Sequence, residues 1–164
     1  MKKIFIDAFK CSGCRYCELV CSFFHEGKFN PKLSRIRIFK EDEYGIDNPI
    51  LCSLCSYCSC INICPTNAFY KNDKGFMEIN IEKCIKCYKC IESCFFGAVF
   101  LHLEKNIPIV CNLCNGDPKC VKKCPTGAII FTEPNNFTQI KNYEYSRIVY
   151  QDFLNKHGMK IKSE

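Results

Sequence analysis

The residues able to do chemistry in this chain are its 17 cysteines, which fall into four groups. Cys11, Cys14, Cys17 and Cys21 read C-x2-C-x2-C-x3-C, and Cys84, Cys87, Cys90 and Cys94 repeat that spacing. Cys111, Cys114, Cys120 and Cys124 form a CxxC pair, a wider gap and a CxxxC pair. Cys52, Cys55, Cys58, Cys60 and Cys64 crowd into the remaining group. Pro65 and Pro125 each follow a last cysteine. Three thiolates on one tight loop can hold three iron corners of a cubane while the intervening backbone N–H groups face its sulfides. The last Cys, one helical turn on, points away and reaches a second cluster; this is the spacing of [4Fe–4S] ligation.

Other readings of the cysteines fare worse. Zinc ribbons use two CxxC pairs, which Cys52/Cys55 and Cys84/Cys87 imitate loosely. Zinc does not call for a third and a fourth Cys at these intervals. An odd number of cysteines leaves one over in any full disulfide pairing. Radical-SAM chemistry needs CxxxCxxC, and no CxxxC here has a Cys three residues later. The glycines form neither GxGxxG nor a P-loop. His25, His102 and His157 form no HExxH, and His25 reads as a surface or interface residue. No constellation that converts a substrate is present, so the chain reads as non-catalytic.

An internal repeat addresses the spare cysteine. Cys64-Pro-Thr-Asn-Ala68, Cys94-Phe-Phe-Gly-Ala98 and Cys124-Pro-Thr-Gly-Ala128 align at a constant period. In the other groups the third Cys lies four before the last, as in Cys17/Cys21, Cys90/Cys94 and Cys120/Cys124. The equivalent in the crowded group is Cys60, which makes Cys58 a free thiol near its cluster. The converse, Cys58 as ligand with Cys60 spare, stays open at this point.

The elements that must position these loops are short. A β-like run precedes each group, at Lys3–Ile6, Asn48–Leu51, Met77–Ile81 and Ile107–Val110. Another follows three of them, at Phe69–Tyr70, Val99–Leu101 and Ile129–Phe131. The unit is strand, Cys loop, short helix, strand: an α+β chain in which clusters replace much of the core. Metal sites of this kind supply folding energy themselves, so the iron-free chain is expected to be largely unfolded. Between the first two groups, Ser34–Phe39 alternates as a strand and Glu41–Gly45 reads as a turn, so residues 22–51 are expected to form a hairpin, packed across its own chain or against a partner. Beyond the Pro/Asn-rich Glu133–Asn136, Tyr145, Ile148, Val149 and Phe153 share one helical face, with Gly158 as a stop. That helix either closes over the chain's own surface or grips a partner.

Length and composition agree. In 164 residues, 48% are hydrophobic and 14 are Phe, enough for a real core. No apolar run approaches the roughly 18 residues that span a bilayer. The start, Met1–Asp7, meets an acid too soon for a signal h-region, so a reducing cytoplasm is expected.

With these motifs the sequence resembles the ferredoxin-like iron–sulfur subunits that carry four [4Fe–4S] clusters in two double-cluster modules. The resemblance covers residues 1–131, and the C-x2-C-x4-C-x3-C-P spacing of Cys52, Cys55, Cys60, Cys64 and Pro65 is a hallmark of that family. It implies nested ferredoxin-like modules: an outer one from residues 1–21 plus 105–131, an inner one from 52–104, the hairpin insertion at 22–51, and a linker with docking helix at 132–164. It also implies the ligand sets. One cluster would take Cys11, Cys14, Cys17 and Cys124, and its neighbour Cys111, Cys114, Cys120 and Cys21. The inner pair would take Cys52, Cys55 and Cys60 with Cys94, and Cys84, Cys87 and Cys90 with Cys64. Phe95 in place of a proline and the five-residue gap before Cys120 depart from the family pattern without removing a ligand.

Cys11–Ser22, His25–Pro31 and Ser34–Ile38 are similar to the small subunits of tungsten aldehyde oxidoreductase-type enzymes. Similar stretches occur in the iron–sulfur subunits of class II benzoyl-CoA reductases and of CO dehydrogenases. The resemblance implies an electron-transfer subunit with a large catalytic oxidoreductase partner, and a ferredoxin or other redox carrier as a second one. Subunits of molybdopterin enzymes, or a free-standing polyferredoxin, are the alternatives, with a zinc-binding structural module more remote. The formal charge of +6 does not argue for nucleic acid. Each oxidised cubane with four thiolates contributes about −2, so four bring the total to roughly −2, and no nucleic-acid motif accompanies the lysines.

Overall fold

The computed structural model describes residues 1–134 and 152–156. The chain divides into two compact units: Lys3–Phe131, which holds every cysteine, and Met1–Lys2 with Thr132–Glu164. In the second unit the Met1 amino group pairs with Glu133 at 2.8 Å, and residues 152–156 are helical, with Asp152 and Lys156 paired at 3.0 Å. Phe153 lies on that turn; Tyr145, Ile148, Val149 and Gly158 of the expected helix lie outside the described residues.

The large unit is α+β, built of short strand pairs and short helices. Strand β1 (Lys3–Ile6) leads through a 3-10 turn (Ala8–Lys10) to helix α1 (Tyr16–Glu26) and a second 3-10 turn (Pro31–Leu33). Strands β2 (Arg37–Glu41) and β3 (Ile46–Ile50) follow, then α2 (Ser59–Asn62), β4 (Phe69–Lys71), β5 (Met77–Ile79) and α3 (Lys89–Glu92). The run closes with β6 (Val99–His102), β7 (Ile107–Val110), a 3-10 turn (Leu113–Gly116), α4 (Lys119–Lys122) and β8 (Ile129–Thr132). Four two-stranded sheets result: β1 with β8, and the antiparallel pairs β2–β3, β4–β5 and β6–β7. The strands fall where the β-like runs of the sequence lie.

Residues 37–50 form the expected hairpin, with Arg37 opposite Ile50 and Glu41 opposite Ile46, whereas residues 22–26 of the expected insertion belong to α1. It packs on its own chain. Ile36 and Leu51 share a buried cluster with Cys17, Cys21, Cys120 and Ile129. Glu18 of α1 is fully buried and ties the hairpin down: one carboxylate oxygen accepts from the Ile38 N–H at 2.7 Å, the other from Arg15 Nε at 2.7 Å. A buried carboxylate holds its charge only with such partners. A second core cluster gathers Leu54, Cys58, Cys60, Phe69, Phe76, Met77, Cys90, Val99, Val110 and Leu113.

The repeat seen in the sequence is a repeat of backbone. Helices α2, α3 and α4 are four residues long and stop two residues before Cys64, Cys94 and Cys124. Each of these cysteines is followed by a tight turn whose third residue is left-handed: Asn67 at φ 51°, Gly97 at 57° and Gly127 at 66°. Glycine and asparagine tolerate that region, and the next residue in each, Ala68, Ala98 and Ala128, is buried. The first group differs. No proline or turn follows Cys21, so α1 runs through it for eleven residues and ends at left-handed Gly27, whose N–H bonds the Phe23 carbonyl at 2.9 Å.

Candidate iron-sulfur centres

The residue before the second Cys of every group is left-handed: Gly13, Leu54, Lys86 and Leu113, at φ between 52° and 62°. This bend folds each CxxC pair into a loop. The third Cys is then always the second residue of a helix, at Cys17, Cys60, Cys90 and Cys120. Cys58 instead occupies the N-cap of α2, the place held by Arg15, Tyr88 and Pro118 in the other loops. Its sulfur is buried and donates to the Cys55 carbonyl at 3.0 Å.

The fold brings cysteines of different loops together. Cys11, Cys14, Cys17 and Cys124 line one small cavity with Ile38, Pro49, Ala128 and Ile129. Cys64, Cys84, Cys87 and Cys90 line another with Phe69, Ile79, Ile85 and Pro108. Cys58 and Cys94 both lie close to Cys52, Cys55 and Cys60: burial first, and then the charge of neighbouring thiols including Cys58 and Cys94, raises all three, with Cys52 pushed to about 11 and Cys60 to about 12. Cys21 stands in the same relation to Cys111, Cys114 and Cys120, whose thiols are pushed up by burial and by one another. Two sulfurs go the other way. Against the opposing pull of burial, N–H groups of Phe69, Thr66 and Ala68 lower Cys64, and the Thr126 hydroxyl with the Ile129, Thr126 and Ala128 N–H groups lowers Cys124.

Such sets fit an iron–sulfur cluster. All 17 thiols are free. Soft thiolates are the donors that Fe–S clusters select, and burial raises the thiols of Cys17, Cys52, Cys60, Cys90, Cys111 and Cys120, which a cation would offset. Backbone donors aim at the sulfurs: Ala68 N–H to Cys64 at 3.2 Å, Ala98 N–H to Cys94 at 3.4 Å. Cys21 has no such turn, because α1 uses the i+4 N–H for its own ladder. The Arg35 N–H fills that role from the start of the hairpin, at 3.3 Å. His25, read from the sequence as a surface or interface residue, is half-buried, and its Nε2 lies 3.8 Å from Cys114 Sγ. Burial, and after it the nearby Arg35 charge, lowers it to about 4. No sequence signal pointed to this pair, which joins residues 89 positions apart. His102 is buried against Glu26 at 3.2 Å.

Comparison with known proteins meets this geometry. The 4Fe-4S binding domain family matches residues 77–100, the strand β5, the third loop and α3. The polyferredoxin-like subunit of the aliphatic sulfonate oxidoreductase of Pyrococcus furiosus is 44% identical over 122 residues, covering 74% of this chain and 70% of that one. The electron transport protein HydN of Escherichia coli K12 is 32% identical over 162 residues, 84% of this chain and 91% of its own. The chain belongs to this family of ferredoxin-like iron–sulfur electron-transfer subunits. Its members here are electron-transport subunits of oxidoreductases and not the catalytic chains, and this chain binds multiple [4Fe–4S] clusters as a non-catalytic member. A subunit of the polysulfide reductase of Wolinella succinogenes is 28% identical over 136 residues, 74% of this chain and 70% of that one. Among solved structures, the active site complex BamBC of benzoyl coenzyme A reductase, in complex with benzoyl-CoA, aligns with a TM-score of 0.50 at 28% identity, over 94% of this chain and 97% of that one. Among the described residues no helix is long and apolar enough to cross a membrane.

Proposed function

We propose that this subunit holds four [4Fe–4S] clusters on sixteen cysteines and relays single electrons to or from a large catalytic oxidoreductase subunit. The ligand sets are Cys11, Cys14, Cys17 and Cys124; Cys21, Cys111, Cys114 and Cys120; Cys52, Cys55, Cys60 and Cys94; and Cys64, Cys84, Cys87 and Cys90. Cys58 is not a ligand. The observation that carries this reading is that each of two cavities is lined by three thiols from one loop and one from another, Cys11, Cys14 and Cys17 with Cys124, and Cys84, Cys87 and Cys90 with Cys64.

The bound clusters supply one-electron redox chemistry; the residues of the chain space, shield and tune them. The four sets adjoin in series. Sets from the second and third loops exchange their last cysteines, Cys64 and Cys94, across α2 and α3. Cys52 lies near Cys111, and Cys17 near Cys120. The order is therefore Cys87 set, Cys52 set, Cys111 set, Cys14 set. This order is the one that nested modules, 1–21 with 105–131 around 52–104, would produce. The partner is read as a tungsten aldehyde oxidoreductase-type enzyme, on the resemblance of Cys11–Ser22, His25–Pro31 and Ser34–Ile38, in a reducing cytoplasm where free thiols persist.

Anaerobic purification with native partners, followed by iron, sulfide, tungsten and molybdenum analysis, tests both levels. About sixteen irons per chain are expected, from four irons in each of four clusters, together with tungsten on a co-purifying large subunit. Fewer than about two clusters' worth of iron overturns the relay; full iron with no tungsten keeps the relay and removes the tungsten partner.

A further inference from the structure

Electrons enter and leave a relay where a cluster comes nearest to solvent. Of the 17 cysteines only Cys14 and Cys87 are exposed, and they belong to the two sets at opposite ends of the series. The two ends are built differently, and the left-handed residue before the second Cys reports the difference. In the two loops whose sets lie in the middle of the series it is leucine, and Leu54 and Leu113 are 2% and 1% exposed. In the Cys14 loop it is Gly13, where an added Cβ would overlap Asp47 Oδ1 and Lys40 Nζ. The hairpin's Lys40–Asp47 ion pair, at 2.7 Å, therefore roofs that loop. The other cations there are paired as well: Lys10 with Asp7 at 3.4 Å and Arg15 with buried Glu18 at 2.7 Å.

In the Cys87 loop the same position is an exposed lysine, Lys86. Nothing covers it. Lys83 and Lys89 flank the loop at the corresponding places, both exposed, and Ile85 between the cysteines is 62% exposed. No other loop carries lysine at all three positions. Among the described residues none of the three forms an ion pair, and Glu82 and Glu92, which bracket the loop, pair with none of them. Unneutralised lysines around one apolar residue suit a brief, charge-steered encounter, because long-range attraction raises the association rate and salt screens it.

We propose that the Cys87 loop, with Lys83, Lys86, Lys89 and Ile85, is the docking port for a diffusible electron-carrier protein with an acidic face. The inference rests on the relay reading above. The step is outer-sphere: the carrier loses one electron and the Cys87-end cluster gains it, or the reverse, with no bond made or broken.

The test uses the full, cluster-loaded chain and a reduced, acidic two-[4Fe–4S] ferredoxin as probe, in anaerobic stopped flow at low salt and at about 0.3 M salt, where the Debye length falls below roughly 8 Å. Replacing all three lysines (Lys83→Gln, Lys86→Gln, Lys89→Gln) is expected to slow the second-order rate roughly tenfold or more at low salt and to flatten its salt dependence. Lys2→Gln with Lys32→Gln, at exposed lysines elsewhere, should leave both unchanged. Iron content, and reduction by methyl viologen no slower than in the unaltered chain, read whether the triple variant keeps its clusters. An unchanged ferredoxin rate in the triple variant overturns the port, as does an equal loss in the control pair. Loss of a co-purifying catalytic subunit from the triple variant also overturns it, because the loop would then be that subunit's seat. Absence of clusters from the unaltered chain overturns the relay reading first, and the port with it.

Discussion

The backbone N–H of Arg35 donates to the sulfur of Cys21 across 3.3 Å. It does for this cysteine what the Ala68 and Ala98 N–H groups do for Cys64 and Cys94. The chain compensates for running α1 straight through Cys21 by bringing a donor back from the hairpin. Hydrogen bonds to sulfur raise a cluster's potential because they favour the more negative, reduced form.

Arg35→Pro removes that donor, and Ser34 already has the extended conformation (φ −75°, ψ 148°) that precedes proline. A hydrogen bond to a charged group is worth about 1.5–3 kcal/mol. If half of that differs between oxidation states, one cluster falls by about 30–60 mV, 59 mV being tenfold for one electron. Redox titration followed by EPR reads it. Arg35→Ala should shift less, because it keeps the N–H.

His25 should act on the same cluster from the other side, through Cys114. At pH 7 the imidazole is neutral, its pKa lowered to about 4 by burial and then by the Arg35 charge, and Nε2–H can donate to the sulfur 3.8 Å away. His25→Phe should lower the potential of this cluster alone, with iron content intact, while His25→Gln should recover part of the shift. Equal potentials in all three proteins would mean that the histidine only packs.

Cys58 and Cys60 are separated by the helix register, which puts Cys60 second in α2, like Cys17, Cys90 and Cys120 in their helices, and Cys58 at the N-cap. Cys60→Ser is expected to cost the iron of about one cluster, and Cys58→Ser none. The reverse pattern in iron and sulfide analysis would exchange their roles.

Glu18→Ala strips the Ile38 N–H and Arg15 of their acceptor in a fully buried place. Arg15 is half exposed and can rehydrate, so the loss should sit near the lower range for a broken buried pair, about 2–3 kcal/mol. The denaturant concentration that releases half the iron under anaerobic conditions should fall accordingly.

Iron removal should take most of the far-UV circular dichroism with it, because cluster binding supplies much of the folding free energy of so small a core. The pH response follows from burial, which pushes Cys17 and Cys60 to about 12, above an ordinary thiol near 9. A raised folded value contributes stability below pH 9 that is lost as pH rises toward 12. Any fold left in the iron-free chain should therefore weaken between pH 9 and 12 where the holoprotein, its thiolates bound to iron, does not.

What the sequence alone determined lies within a few residues of each loop. Cysteine spacing specified iron–sulfur ligation, and the Cys-x-x-x-Ala repeat located the turns. The alternating runs marked the strands and the hairpin, since a loop around a metal and a two-residue strand period are both local constraints. The repeat also favoured Cys60 over Cys58 as a ligand, with the converse left open. The tertiary structure decided what arrives from far along the chain: Cys124 beside Cys11, Arg35 N–H on Cys21, His25 on Cys114, Asp47 and Lys40 over Gly13. It also decided which left-handed residue is covered, burying Leu54 and Leu113 but leaving Lys86 in water. Those relationships depend on how helices and strands pack across tens of residues, and a one-dimensional spacing carries no term for that.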